Sequence, residues 1–477
     1  MFRFYRIPPN RVELVDGVRR SRKAIVLTFV AAVAGVAGLA GVTMKVNSKI
    51  STAQMAQASL KAAATQDWTQ REDVKAMNAK KVKYGDMSNV EVEGLFKTFQ
   101  KNFKRAYESS DEESLRLGHF KMSLKKIDSL NKMNPLALFG ITDMADKSDE
   151  ERATRRMSSK WSNIDKIKAT LPSDMVSAAV KGPGAVKGLT FEHDEVDGED
   201  MSVGQVSWVD EGDCAACNMF PEFEKYDLGN MPTDFDWRPL GAVTGIKNQK
   251  QCGSCWSFST AQDIEGTHFL ATGNLTSYSE QQLVACDIYN DGCDGGWPYA
   301  AMQYVAKTGG LSTLESYPYK GVYQTYDLPT PTCDKDKINS NLKSGDVAHI
   351  SGYQMVAMGA EYEDLMALAL VKNGPLSVAF NAAGMDYYTH GIVGCESIAG
   401  EDYCEAGSID EVDPCDPTSL DHAVLAVAYG VQDDVDYWVI KNSWGSDWGE
   451  DGYYRLEKGT DKCGVSNMVI HSIVKKA

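Results

Sequence analysis

The sequence predicts an α+β protein in which a mixed domain from Met231 onward follows a mainly helical forepart. Three observations lead there. Between about Val90 and Met133, polar and apolar residues recur at spacings of four, as in Glu112, Arg116, Phe120 and again in Ser123, Ile127, Asn131, which places each set on one helix face. From Pro232 onward, short Val/Ile/Tyr-rich runs are broken by glycine, the pattern of strands and turns. Finally, nine of the eleven cysteines lie after Met231, and the acidic excess is confined there.

The chain carries 49 Lys+Arg against 66 Asp+Glu, a formal net charge of −17. From Met231 to Ala477 there are 15 basic and 34 acidic residues, a net of −19, so the 230 residues before it carry +2. An acidic body argues against a nucleic-acid partner, which needs a basic face. Crowded cysteines fit an oxidising compartment better than the cytosol. Their odd number leaves at least one thiol unpaired within a monomer, either reactive or merely buried.

The amino terminus supports a secretory route. Residues 1–23 form a basic tail with seven Arg/Lys, and residues 24–44 contain no charged side chain. About 20 apolar residues suffice to span a bilayer. The positive-inside rule then leaves the tail cytosolic and everything after Met44 lumenal, as a type II signal anchor. A cleaved signal peptide ending near Ala40 is the competing reading. Residues 45–89 are polar and Ala/Gln-rich toward their start, a stalk, and the spacing predicts one long amphipathic helix within a domain spanning 90–150. Residues 151–230 read as a linker and maturation region. Within it, Glu192 to Asp200 hold six carboxylates in nine positions, and Cys214 and Cys217 lack the two further soft ligands a metal would need. No metal and no cofactor are expected.

The chemistry sits in Gln249-Lys-Gln-Cys-Gly-Ser-Cys255-Trp, followed by a predicted helix over 257–271 that ends at Gly273. Cys255 would then stand at a helix N-terminus, where the macrodipole favours a thiolate. A redox Cys252/Cys255 pair is the alternative, but no strand of the kind such a pair needs precedes it. Downstream lie Asp421-His422-Ala423-Val424 and Lys441-Asn442-Ser443-Trp444-Gly445.

These three blocks, in this order, resemble papain-family cysteine proteases of the cathepsin L type over Pro232 to Val474. The resemblance implies a two-lobed domain over 231–477, one lobe helical and one β-barrel-like. It also implies a thiol endopeptidase in which Cys255 attacks the scissile carbonyl, His422 pairs with the thiolate and protonates the leaving amine, and Asn442 orients His422. Gln249 matches the side-chain donor of the oxyanion hole. The separation of Cys255 from His422 exceeds the family spacing; an acidic insertion between Gly391 and Ser419 accounts for the excess.

By the same matching, Gly295 and Gly296 form a wall against which an extended substrate pairs. Trp297, Pro298, Ala379, Leu420, Ala423 and Met468 line an apolar pocket for the side chain two residues before the cut. Asp421, Trp444 and Trp448 complete the cleft. Implied disulfides are Cys252–Cys293 and Cys286–Cys333. Cys463 takes Cys415 or Cys395, with Cys415 preferred, and Cys404 takes the remaining one. Asn274 begins an Asn-Leu-Thr sequon.

The set Glu112, Arg116, Phe120, Ile127 and Asn131 resembles the helix signature of inhibitory propeptides of this family, with Ser123 where asparagine is usual. Residues 140–146 resemble its following block, with Thr142 and Met144 as substitutions. The resemblance implies a precursor whose own propeptide occupies the cleft backwards until it is cut away, with maturation near Asp227 in an acidic endolysosomal or vacuolar compartment. Its partners would be peptide or protein substrates, its own propeptide, and a membrane through the anchor. The contrast of charge between the two segments suggests that acid weakens the clamp, with Lys101, Lys104, Arg105, Lys125 and Lys126 as the basic members. Competing readings are a transpeptidase using the same thioester, an inactive binding protein, or an exopeptidase gated by the 395–415 insertion.

Overall fold

The computed structural model describes residues 68–158, 160–161, 226–321, 332–394 and 415–474. The expected anchor at 24–44, the acidic run at 192–200 and the cysteines Cys214, Cys217, Cys395 and Cys404 lie outside them.

The forepart contains helices α1 (Glu72–Asn78), α2 (Asn89–Asn102) and α3 (Ser110–Met133), strand β1 (Ala137–Phe139) and helix α4 (Asp149–Ala153). The single long helix expected from the spacing is in fact two. Lys104 adopts a left-handed φ of 52°, and Ser109 caps a new helix by accepting the Glu112 N–H at 3.1 Å. Three acids in the first turn favour that start through the helix dipole. The break folds α2 onto α3, so that the Phe120 ring lies 5.3 Å from Phe96 and 5.2 Å from Phe99. Phe120 and Ile127 are fully buried.

The polar members of the signature secure neighbouring elements. Asn131 donates to the Phe139 carbonyl at 2.9 Å and accepts its N–H at 2.8 Å, locking β1 to α3. Arg116 reaches Glu151 at 2.6 Å, and the Ser123 hydroxyl lies 2.9 Å from the Tyr387 hydroxyl in the following domain.

The stalk reading fails from residue 68 onward. Val74 of α1 is buried among Leu136, Ile392 and Val435, and the Arg71 guanidinium donates to the Asp433 carbonyl at 2.6 Å. Lys81 donates to the carbonyls of Asn131 (2.7 Å) and Asn134 (2.8 Å), completing the C-terminal end of α3. One apolar anchor and two cations suffice here, too little to stand out from the polar composition.

From residue 226 the described chain builds two main cores and a smaller cluster of Leu425, Val427, Ala428 and Val439. The first strand, β2 (Phe235–Asp236), precedes α5 (Cys255–Thr272), α6 (Glu280–Cys286) and α7 (Pro298–Thr308). Together with β3 (Leu311–Ser312), α8 (Lys335–Ser344) and β4 (Val347–Ala348) these form the helical side. The remaining elements are β5 (Ile350–Ala357), α9 (Glu363–Asn373), β6 (Leu376–Phe380), β7 (Tyr388–Val393), β8 (His422–Gln432), β9 (Val435–Lys441), β10 (Tyr453–Glu457) and β11 (Met468–Val474). The large sheet runs β1-β7-β10-β9-β8-β6-β11-β5, with β2 beside β8. Its edge strand β1 belongs to the forepart and pairs antiparallel with β7, Ala137 opposite Gly391. The forepart core, from Phe96 to Ala145, is thereby continuous with that of the sheet.

Helix α5 is buried on nearly every side, which explains its lack of an amphipathic stripe. It ends at Gly273, whose left-handed φ of 77° and N–H to the Phe269 carbonyl terminate it. Disulfides Cys252–Cys293, Cys286–Cys333 and Cys415–Cys463 close loops of similar span, and Cys255 is a free, buried thiol.

Candidate active site

Cys255 is the first residue of α5, with the backbone N–H groups of Cys255, Trp256 and Ala423 directed at its sulfur. Across the cleft, His422 opens β8, and its Nε2 lies 2.8 Å from Asn442 Oδ1, just after β9. Register sets this meeting: β8 and β9 are adjacent antiparallel strands, so the start of one faces the end of the other. The Trp444 ring lies 4.9 Å from that of His422 and is packed edge-on by Trp448 at 5.2 Å.

Gln249 is held by two contacts that its sequence motif does not reveal. Its Oε1 accepts the Ser443 hydroxyl at 2.6 Å, and its N–H donates to the Ser443 carbonyl at 2.8 Å. Its Nε2 is thus aimed into the cleft beside the helix start.

The ladder also builds an apolar pocket. Met468 pairs with Ala379, and Ala379 with Ala423, so three strands present these side chains side by side. Trp297 and Leu420 join them in one buried cluster, and Pro298 begins α7 next to Trp297.

The cleft is occupied by the chain itself. After α4, residues 154–158 and 160–161 lie along it, although the sequence suggested that the inhibitory domain stops at residue 150. Gln249 Nε2 donates to the Arg155 carbonyl at 2.8 Å, and the Met157 N–H donates to the Asp421 carbonyl at 2.7 Å. The Met157 side chain packs in the cluster of Trp297, Ala379, Leu420, Ala423 and Met468. Two glycines permit this approach. A Cβ at Gly253 would lie 2.7 Å from the Arg156 carbonyl oxygen, and one at Gly295 would lie 2.8 Å from the Trp161 ring. The Arg152 guanidinium stands over Tyr387 (5.4 Å) and that of Arg155 over Trp444 (5.8 Å). The segment therefore travels from the Trp444 end toward the glycine wall.

Sequence reasoning missed Arg155, Arg156 and Met157. A signal was present: Ser148-Asp-Glu-Glu151 is a capping box, which starts the short helix that delivers them. The basic residues expected to clamp the enzyme also differ. Arg105 pairs with Asp146 and Lys126 with Asp149, both inside the forepart, whereas Arg156 and Lys160 reach the following domain at Asp386, Asp421 and Asp291.

Burial changes the electrostatics expected of a helix-start thiolate. It pushes the Cys255 thiol up to about 12, outweighing the three N–H groups, and pushes His422 down to about 4 despite Asn442. In the covered form the pair is therefore a thiol beside a neutral imidazole. Removing the overlying segment returns water and relieves the shared cause of both shifts.

The family model for papain family cysteine proteases matches residues 231–473, half of the chain. The chain belongs to the papain family of cysteine proteases. The cathepsin propeptide inhibitor domain matches residues 96–152. Similar proteins include a probable cysteine protease, RD19B, of Arabidopsis thaliana, 34% identical over 79% of this chain and 86% of that protein. Mouse cathepsin F is 33% identical over 81% of this chain and 66% of its own length. Among solved structures, digestive procathepsin L 3 of Tenebrio molitor larval midgut superposes with a TM-score of 0.54 at 27% identity, covering 81% of this chain and all of that one. The proform of the ragweed pollen allergen Amb a 11, a cysteine protease, gives 0.57 at 26% identity, covering 82% and 96%. This papain-family protease is accordingly a zymogen, with an α+β catalytic domain behind its own inhibitory propeptide.

Proposed function

We propose that the groove hydrolyses peptide bonds through a thioester on Cys255, with His422 as acid and base, Asn442 holding the imidazole, and Gln249 with the Cys255 N–H stabilising the oxyanion. The observation that carries this reading is the Arg155 carbonyl resting on Gln249 Nε2 beside the buried thiol, as a substrate carbonyl would. The test is labelling of the processed enzyme with an epoxide thiol-protease inhibitor, followed by peptide mapping. Modification of Cys255 with stoichiometric loss of activity is expected; activity lost through any other residue overturns the assignment.

Met157 in the pocket of Trp297, Pro298, Ala379, Leu420, Ala423 and Met468 supports a preference for Leu, Phe or Val two residues before the cut. Met468→Glu should raise cleavage of substrates with arginine there by about tenfold, since the buried carboxylate gains a counter-charge. An unchanged ratio of arginine to leucine substrates would discredit this pocket.

Acid should loosen the propeptide through Glu151 and Asp149. Burial works to raise both, but Arg116 and the Ser148 N–H hold Glu151 down to about 2, and Lys126 and Arg152 do the same for Asp149. Carboxyls depressed in the folded state contribute stability that is fully present above their ordinary values of 4.5 and 3.8 and disappears as pH falls toward about 2. The melting temperature of a Cys255→Ala precursor should therefore drop progressively below about pH 4.5. A flat melting temperature between pH 5 and pH 3 would exclude this device.

The names of relatives such as cathepsin F favour a secretory route ending in an acidic endolysosomal compartment or outside the cell. Residues 24–44 would tether the precursor as a type II anchor, and maturation near Asp227 would release the enzyme. No helix among the described residues is long and apolar enough to cross a membrane. Asn274 is exposed just beyond α5, open to glycosylation in that compartment.

A further inference from the structure

Where Asp421 precedes His422 and Asp386 occupies the turn before β7 lies an acidic pocket that the thiol chemistry does not use. Arg156 fills it. Its Nη2 donates to Asp386 Oδ2 at 2.6 Å, and its Nη1 reaches Asp421 Oδ2 at 3.3 Å. The two carboxylates are differently held. Asp421 Oδ1 also accepts the Ala382 N–H at 2.7 Å and its side chain is partly open to water. The Asp386 side chain is only 4% exposed, and its Oδ1 has no hydrogen-bond partner among the described residues. It sits in a tight turn pinned from both sides: Trp448 Nε1 donates to the Met385 carbonyl at 3.0 Å, and Thr142 of the propeptide donates to the Asp386 carbonyl.

Among the described residues the one ion-pair partner of the buried Asp386 carboxylate belongs to a removable segment, so the charge is left uncompensated when that segment departs. The position identifies what replaces it. Met157, the next residue, enters the apolar pocket on the side that receives residues before the cut, whereas Arg155 and Arg152 lie toward Trp444 and Tyr387. The Arg156 side chain thus points to the leaving-group side of the nucleophile.

We propose that Asp386, with Asp421, forms a subsite selecting a guanidinium or ammonium side chain on the substrate residue immediately after the scissile bond. This rests on Cys255 being the nucleophile. The propeptide uses the same site in reverse chain direction, so Arg156 holds the precursor closed with the contact that a substrate cation makes in the processed enzyme.

The test uses processed enzyme and a set of peptides identical except at the residue after the cut, which is arginine, lysine, citrulline, alanine or glutamate. Citrulline matches arginine in shape without its charge. Values of kcat/KM for the arginine peptide should exceed those for citrulline by about 30-fold, with glutamate slowest, since pairing with a buried charge is at stake. Asp386→Asn should compress the arginine-to-citrulline ratio to within about threefold, and Asp386→Glu should restore part of it. Because each ratio is internal to one enzyme, differences in the amount of folded protein cancel. Equal rates for arginine and citrulline on the unmodified enzyme overturn the proposal without any variant. So does a ratio that survives Asp386→Asn. Cleavage of the citrulline peptide at the intended bond shows that Cys255 chemistry is intact while the subsite is judged; silence toward every peptide would remove both.

Discussion

Cys255→Ala is expected to reduce peptide hydrolysis by about 10⁴- to 10⁶-fold while leaving the precursor folded. The magnitude follows from the loss of covalent catalysis. Without a thiolate no acyl-enzyme forms, and the remaining donors can only polarise a bound carbonyl toward attack by water. Folding should survive because the thiol takes part in none of the three described disulfides and removing the sulfur opens little space at the helix start. The substitution separates two explanations of silence. A precursor that is cleaved by an added protease to the normal product, yet hydrolyses nothing, has lost chemistry and not structure. Residual activity within tenfold of the parent enzyme would mean that another group carries the reaction.

Gln249→Ala should lower kcat by about 100- to 1000-fold, with KM little changed. Nε2 meets the substrate oxygen most strongly when that oxygen carries negative charge, so its removal destabilises the tetrahedral state more than the bound substrate. Because the same Nε2 binds the Arg155 carbonyl in the precursor, the substitution should also weaken autoinhibition. It further leaves the Cys252 carbonyl and the Ser443 hydroxyl without this partner, which costs about 1–3 kcal/mol of stability for each buried group left unsatisfied. The readout that decides is the split between kcat and KM. A rise in KM alone would assign Gln249 to ground-state binding.

The two arguments share one physical premise: the propeptide inhibits by borrowing the contacts of a substrate and by dehydrating the reacting pair. The covered site holds Cys255 and His422 neutral, pushed to about 12 and about 4 respectively by burial. Chemical competence and exposure are therefore coupled, because removing the segment both opens the groove and readmits the water that stabilises the ion pair. The chain direction along the groove matters equally. Running from Trp444 toward Gly295, the segment presents its carbonyls and side chains to the right pockets with its peptide bonds reversed, which makes it a ligand that resists cleavage.

Local chemistry made several elements readable before any fold was known. The capping residue Gly273, the four-residue spacings of Glu112 to Asn131, and the blocks around Cys255, His422 and Asn442 are short-range patterns, each contained within one or two helical turns or one strand end. What such patterns leave open is where a continuous period stops. The helix expected across residues 90–133 breaks at Lys104 and Ser109, since aromatic residues on both halves gain more from folding onto each other than from continuing straight. The supposed stalk adheres to the catalytic domain at Arg71 and Val74, and to the end of α3 at Lys81, for a similar reason: a few well-placed contacts outweigh a polar composition.

The sequence by itself determined the order of the parts, the identity of the candidate nucleophile, acid–base and orienting residues, and a zymogen organisation with an acidic catalytic domain. Only the tertiary structure decided what fills the cleft, that the inhibitory segment continues past residue 150, and that Asp386 receives Arg156 from 230 positions away. The reason is physical. Catalytic motifs are local strings whose chemistry demands particular residue types, whereas an ion pair between a linker and a turn demands only opposite charges brought together by β-sheet register and helix packing, and no short stretch of sequence carries that information.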